Sequence, residues 1–321
     1  MRDRFGGTYR PLAGAALAVG CLVAAALAAR GQVDAAAAHF AAENGWPLCI
    51  AALCAPLVPA ASAGAWRSVL ASGENELTVA EAWGCYGLGS VANTFLPARG
   101  GDALRIELFS RRLPERNRRW RACGVAASVA IAQSAMFGCV LAVGALLGVL
   151  PIWTIVPALG VPCVTWAAGR IALRRQPGER VACLATAAVL SPLAWARVLA
   201  WTATASLARL LLAVAVLSAL GVPSAFSVAI VALGGAAVGN SLPFAPGGAG
   251  VAAATMSLAL GQAGVNTSMA LAAAVTFHAF ETAAGLLFGA SGWLLMRLVE
   301  RASRRGSMFA AVEPSVVTAS R

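Results

Sequence analysis

An all-α, polytopic transmembrane bundle is the fold class that this sequence predicts, and three observations predict it. Apolar residues make up 60% of the 321 positions and charged residues only 12%, about half the roughly 25% of a soluble domain. The charges are gathered between long apolar runs instead of being spread along the chain. Two apolar segments, one in each half, are interrupted by Gly and Pro. The expected architecture has about eight crossings and re-entrant or broken helices in two pseudo-repeated halves, roughly 11–150 and 151–299. Short cytoplasmic tails, 1–10 and a flexible 300–321, flank it.

The first charge-free run, residues 11–29, is close to the roughly 20 residues that a spanning helix needs. Its Arg-bearing start and the small residues Ala26, Leu27 and Ala28 also suit a signal peptide, but the equally apolar chain behind it favours an anchor. Further spans are expected at Trp46 to Trp66, Ala122 to about Val149, Pro151 to Gly169, about Val181 to Leu199, about Ala203 to Val222, and about Ser268 to Met296. Trp46 and Trp66 stand at the two ends of their span, where indole prefers the interface.

The arginines orient these spans. All 24 basic residues are Arg against 13 acidic ones, a net charge of +11. Cytoplasmic loops carry the excess of positive charge. Placing the N-terminal tail, Arg67, the loop from Arg99 to Arg121, the loop from Arg170 to Arg180 and the tail after Met296 inside accounts for 21 of the 24. Both termini are then cytoplasmic and the number of crossings is even. Seven clean spans require an eighth, which the stretch from about Ala225 to Gly261 has to supply. If residues 181–222 cross once instead of twice, the break in that stretch enters from the outer face, as an inverted partner of the first.

The first break lies in Val79 to Pro97. This segment is moderately apolar but carries Glu81, Asn93 and three glycines, and both its ends face arginine-rich segments. A re-entrant helix fits better than a span. Asn93-Thr-Phe-Leu-Pro97-Ala-Arg99-Gly100-Gly101 is echoed by Asn240-Ser-Leu-Pro243-Phe-Ala-Pro246-Gly247-Gly248, with prolines 146 residues apart. Proline removes a backbone donor and a Gly pair permits a sharp turn with open N–H groups. Such groups beside a helix N-terminus attract phosphate or carboxylate. At membrane depth they must face protein or a wet cavity, so paired breaks point to a transport site.

These residues carry a resemblance. Leu96-Pro97-Ala98-Arg99-Gly100-Gly101-Asp102-Ala103-Leu104-Arg105 and Leu242-Pro243-Phe-Ala-Pro246-Gly247-Gly248-Ala-Gly250-Val251 are similar to the two motifs of the family named after the transmembrane region of lysylphosphatidylglycerol synthase, also described as flippase-like proteins. Trp66-Arg67 and Gly264-Val265 also stand in family positions, and the resemblance runs from about residue 11 to 299. It implies translocation of a lipid or lipid-linked molecule. The soluble aminoacyl-transfer domain of the enzyme that names the family is not expected, because only 25 residues follow Met296. Relatives often carry Glu just after the second motif and Arg in the last helix; here Ala252 or Ala253 and His278 stand in those places.

The residues assigned to lipid binding are Asn93, Pro97, Arg99, Gly100, Gly101, Asp102 and Arg105 in the first half, and Asn240, Pro243, Pro246, Gly247, Gly248 and Gly250 in the second. Arg99 and Arg105 are candidates to hold a lipid phosphate with Asp102 orienting one of them. Asn93 and Asn240 are candidates to line one cavity from two sides, whereas Glu81, about 120° around the helix from Asn93, need not share it. His278 and Glu281 lie one turn apart in the last apolar helix, where charge is costly, and are candidates for a proton relay. Arg197 and Arg209 are read as snorkelling from span ends.

Other chemistries have little to work with. Eight cysteines without a CxxC pair and two distant histidines offer no metal centre, no cofactor is expected, and no phosphate-binding Walker motif is present. A basic, water-exposed face for nucleic acid is missing. The leading expectation is therefore a non-enzymatic flippase-like transporter of an anionic phospholipid or polyprenyl-linked lipid in the cytoplasmic membrane. Alternatives are a membrane subunit that recruits a separately encoded lipid-modifying or glycosyl-transferring enzyme, and a secondary transporter of a small anion. A homo-oligomer is compatible with each.

Overall fold

A computed structural model describes residues 45–71, 77–96, 100–113, 117–151, 190–241 and 249–310, with isolated positions between 160 and 171. The expected spans at 11–29 and 151–169 lie almost wholly outside these residues, as do the two end segments 1–10 and 311–321. No strand occurs among the described residues, and eight helices are described. They are α1 (Trp46–Leu70), α2 (Val79–Phe95), α3 (Gly100–Ser110), α4 (Arg118–Leu146), α5 (Pro192–Ala219), α6 (Ala225–Ser241), α7 (Ala249–Gln262) and α8 (Thr267–Ala310). Four of them, α1, α4, α5 and α8 as far as Val299, are long and apolar enough to cross a membrane. The protein is a helical membrane bundle.

The expected boundary between the spans at 181–199 and 203–222 is corrected by α5, which runs unbroken across it from Pro192 to Ala219. Ser191 caps it by accepting from the Ala194 N–H, and Pro192 follows at the first helical position, where its missing donor costs nothing. The hydroxyl residues at that boundary are absorbed locally. Thr202 Oγ1 donates to the Val198 carbonyl at 2.9 Å and Thr204 Oγ1 to the Ala200 carbonyl at 2.9 Å, the usual way for hydroxyls to sit in an apolar helix.

Helices α2 and α3 form an antiparallel hairpin. Glu81, near the start of α2, pairs with Arg112 just after α3 at 3.0 Å, while Asn93, near the end of α2, meets Asp102 in the first turn of α3 at 3.0 Å. Both outer ends therefore lie together, as a re-entrant segment requires. An α3 of 11 residues is about 16 Å long at 1.5 Å per residue, too short for a hydrocarbon core of about 30 Å. A capping box starts α2: Thr78 Oγ1 accepts from the Glu81 N–H and Glu81 Oε2 from the Thr78 N–H.

The stretch 225–261, expected as an eighth crossing, is a second antiparallel hairpin. A Cβ on Gly239 would meet Ala252 and Thr255, and one on Gly235 would meet Thr255, Met256 and Ala259, so the end of α6 lies against the start of α7. The segment returns to the end from which it came and supplies no crossing. The reason is its composition: helices of 17 and 14 residues are both too short to span.

The hairpins enter from opposite ends. Trp66 near the end of α1 stacks on Phe109 of α3 at 4.7 Å, and Gly64 lies against Trp201 near the start of α5, so α2, α3, the start of α4 and the start of α5 share the arginine-rich end. Ile230 of α6 contacts Gly144 near the end of α4, and Ala51, Cys54 and Ala55 near the start of α1 share a core with Leu210 to Leu220 of α5 and with α6, α7 and α8. The opposite end thus belongs to α6 and α7. With residues 181–222 crossing once in their described part, the two breaks form the inverted pair expected for that case. Each hairpin has its own apolar core, and α8 joins them, continuing beyond Val299 to Ala310 into the segment expected as a tail.

Candidate functional site

The space between the two cores is a cavity of about 450 Å³ at mid-bundle. Its described walls come from six of the eight helices and Leu96: Ala55, Val58 and Pro59 of α1, Tyr86, Ser90, Asn93 and Thr94 of α2, Leu96 just after it, Asp102 and Arg105 of α3, Arg209 of α5, Asn240 of α6, and His278, Glu281, Thr282 and Gly285 of α8. Pro59 has no N–H for the Ala55 carbonyl, and both residues line the cavity. This is where a broken helical ladder is tolerable at membrane depth.

Arg105 is held from three directions. Its Nη1 donates to Asp102 Oδ1 at 2.7 Å, its Nη2 to Ser90 Oγ at 3.3 Å, and its guanidinium lies over the Tyr86 ring at 3.9 Å from the centroid. Asp102 also accepts from Asn93 Nδ2 at 3.0 Å. An arginine at 9% exposure is tolerable in the bundle because its charge is paired and its face is stacked, a contact worth up to about 2 kcal/mol when desolvated. The anticipated role of Asp102, orienting an arginine, is geometrically present at Arg105.

The second ion pair joins two crossing helices. Arg209 Nε of α5 donates to Glu281 Oε1 of α8 at 2.7 Å, and His278 Nδ1 lies 3.5 Å from Glu281 Oε2. Arg209 is not a snorkelling residue at a span end, because the continuity of α5 puts it well inside the helix. Arg197, by contrast, lies exposed in the second turn of α5, as snorkelling requires. An unpaired charge at this depth costs about 2.5–3.5 kcal/mol on insertion scales, so each arginine and its carboxylate stabilise one another. His278, at 8% exposure, has no partner for Nε2 among the described residues.

Six of the residues assigned from the sequence, Asn93, Asp102, Arg105, Asn240, His278 and Glu281, converge on this cavity. Others do not. Gly100 and Gly101 begin α3, and a Cβ on Gly101 would overlap the Gly89 carbonyl and Asn93; this glycine permits the close approach of α2 and α3 and does not line the cavity. Gly250 lies in the first turn of α7, with nothing near enough to meet a Cβ. Pro97, Arg99, Pro243, Pro246, Gly247 and Gly248 lie outside the described residues. Glu81 stands with Thr78 and Arg112 at the outer end of the first hairpin, away from the cavity.

Tyr86, Ser90 and Arg209 complete the cavity and were not legible beforehand. Tyr86 and Ser90 precede Asn93 by seven and three residues, hence share its helix face. That signal was available once α2 was read as a helix. Arg209 carried no such signal until α5 was known to be continuous.

The family model described as the lysylphosphatidylglycerol synthase TM region matches residues 12–289. The chain belongs to this family. A search among curated proteins gave no match. The match to the lysylphosphatidylglycerol synthase transmembrane family covers both hairpins and every residue of the cavity. It marks the chain as a multi-pass membrane protein of a lipid-related family. Ala252 is fully buried against Gly239, and the acid and base of this half are Glu281 and Arg209.

Proposed function

We propose that this protein translocates a phosphate-bearing lipid headgroup across the cytoplasmic membrane. The headgroup passes through the cavity between the two hairpins while the acyl chains stay in hydrocarbon. The observation that carries this reading is the meeting of two oppositely entering hairpins at one polar cavity lined by Arg105 and Arg209. Inverted short or broken helices around a midplane site are the arrangement that alternating access uses. A phosphate offers each guanidinium an oxygen acceptor equivalent to the carboxylate it would leave. The arginine-rich end is taken as cytoplasmic, with both termini there. No covalent chemistry is required of the chain, so it acts as a transporter and not as an enzyme.

The test is headgroup accessibility in proteoliposomes containing a fluorescent phosphatidylglycerol. Wild type should expose the inner-leaflet label to an external quencher far faster than protein-free vesicles. The double variant Arg105→Ala, Arg209→Ala should return the rate toward that background. Equal rates for wild type and the double variant would remove the two arginines, and this reading, from consideration.

A further inference from the structure

Among the described residues, the lining of the cavity is electrically balanced. Arg105 and Arg209 face Asp102 and Glu281, two positive and two negative groups. Both pairs are closed, at 2.7 Å each. A phosphodiester headgroup that enters brings one further negative charge. Some group on the wall has to supply a compensating positive charge. Among the described lining residues, the imidazole of His278 is the neutral group that can gain a positive charge by adding a proton.

The titratable groups that share the cavity wall with His278 are Glu281 on its own helix, Arg209 on α5, Tyr86 on α2, and Asp102 and Arg105 on α3; of these, Glu281 is in contact with it. The lining residues of α1 are Ala55, Val58 and Pro59, that of α6 is Asn240, and α7 contains no titratable residue. Glu281 only accepts hydrogen bonds when ionised, so the ring N–H turned toward it is that of Nδ1 at 3.5 Å. The free lone pair is then on Nε2, which has no partner among the described residues. That is where a proton adds.

We infer that an anionic headgroup enters this cavity together with one proton, taken from water onto Nε2 of His278. As the phosphate draws Arg209 from Glu281, the imidazolium takes the place of the arginine beside that carboxylate. Release of the headgroup restores the Arg209–Glu281 pair and returns the proton to water. This inference rests on the reading of the cavity as a headgroup passage. It makes anion affinity fall as pH rises through the histidine range, because the protonated form is the one that binds. It also makes the proton a cost for anionic headgroups alone, since a zwitterionic headgroup carries its own compensating charge.

The experiment is calorimetric titration of the full chain in detergent at about pH 7.5, roughly one unit above an ordinary histidine, in two buffers of different ionisation heat. The probes are dihexanoyl phosphatidylglycerol, dihexanoyl phosphatidylcholine and the chain-free headgroup glycerophosphoglycerol. Wild type should take up close to one proton per phosphatidylglycerol and none with phosphatidylcholine, and its phosphatidylglycerol affinity should fall as pH rises, by up to about tenfold per pH unit where a full proton is taken up. His278→Asn should bind phosphatidylglycerol more weakly, without proton uptake and without pH dependence. Glu281→Gln, whose lining is positive without a proton, should bind it at least as tightly as wild type with no uptake. Phosphatidylglycerol binding without proton uptake in wild type, equal uptake with phosphatidylcholine, or unchanged uptake in His278→Asn would overturn the inference while leaving the passage standing. No binding of either lipid, or glycerophosphoglycerol binding as tightly as the lipid, would overturn the passage itself.

Discussion

The two hairpins share a backbone design and differ in chemical load. Their first helices are both 17 residues long, both carry an Asn near the end, and both place that Asn on the cavity wall. The first hairpin also brings Tyr86, Ser90, Asp102 and Arg105 to the wall, whereas α6 and α7 contain no charged residue. The ion pair on the other side comes from the crossing helices α5 and α8, through Arg209 and Glu281. A repeat of fold is thus not a repeat of chemistry. One half carries its charges on the re-entrant element, the other on the helices around it, and only the first hairpin moves its arginine if it moves.

The comparison breaks first at the glycine contacts. Gly101→Val would drive side-chain atoms into the Gly89 carbonyl and Asn93, and Gly239→Val into Thr255 and Ala252. Each should cost at least about 1–3 kcal/mol as overpacking against backbone that cannot move away. Thermal unfolding in detergent measures this, and a similar loss in both variants is expected if the hairpins are equivalent as scaffolds. A loss at Gly101 alone would show that the second hairpin is loosely docked.

Chemical inequality is tested next. Arg105→Met keeps much of the stem and removes the charge, and the headgroup scrambling rate should fall about tenfold or more, as for a charge-assisted hydrogen bond of about 1.5–3 kcal/mol. Asn240→Leu, on the second hairpin, should reduce it by less, since a neutral hydrogen bond nets only about 0.5–1.5 kcal/mol. Equal losses would mean that the hairpins contribute alike.

Smaller effects are expected at the outer end of the first hairpin. The Glu81–Arg112 pair is partly exposed, with side chains at 26% and 39% exposure, so Arg112→Ala should cost no more than about 1 kcal/mol and leave scrambling unchanged. Smallest of all is a pH effect at Glu107 on α3. Its hydrogen bond from Arg111, with Arg119 and Arg118 nearby, holds the carboxyl below the usual range. A depressed folded-state pKa stabilises at pH above the ordinary carboxylate value and is lost as pH falls through the lowered one. The difference in melting temperature between wild type and Glu107→Gln should therefore be slight at neutral pH and vanish in acid.

Much of the site was legible because its residues violate the composition around them. Asn93, Asp102, Arg105, Asn240, His278 and Glu281 are polar residues in or beside apolar runs, and burying such groups without a purpose is expensive. The glycines were legible as important but not as what they are. Gly101 reads as an open backbone turn in sequence, while its position against Gly89 makes it a packing contact. Arg209 was hidden for another reason: the depth of a residue depends on where its helix begins and ends, and α5 runs unbroken past the boundary expected near residue 200.

Hydropathy and the placement of arginine determined by themselves that this chain lives in a bilayer, and its paired Gly/Pro breaks determined where the helices would be interrupted. These are local consequences of solvation and backbone chemistry, and they need no knowledge of neighbours. Tertiary structure decided that 225–261 returns instead of crossing, that the two hairpins enter from opposite ends, and that Arg209 rather than a hairpin residue meets Glu281. Those outcomes depend on which helices lie side by side, and packing between segments far apart in the chain, such as the contact between Arg209 and Glu281, leaves no periodic mark in either segment alone.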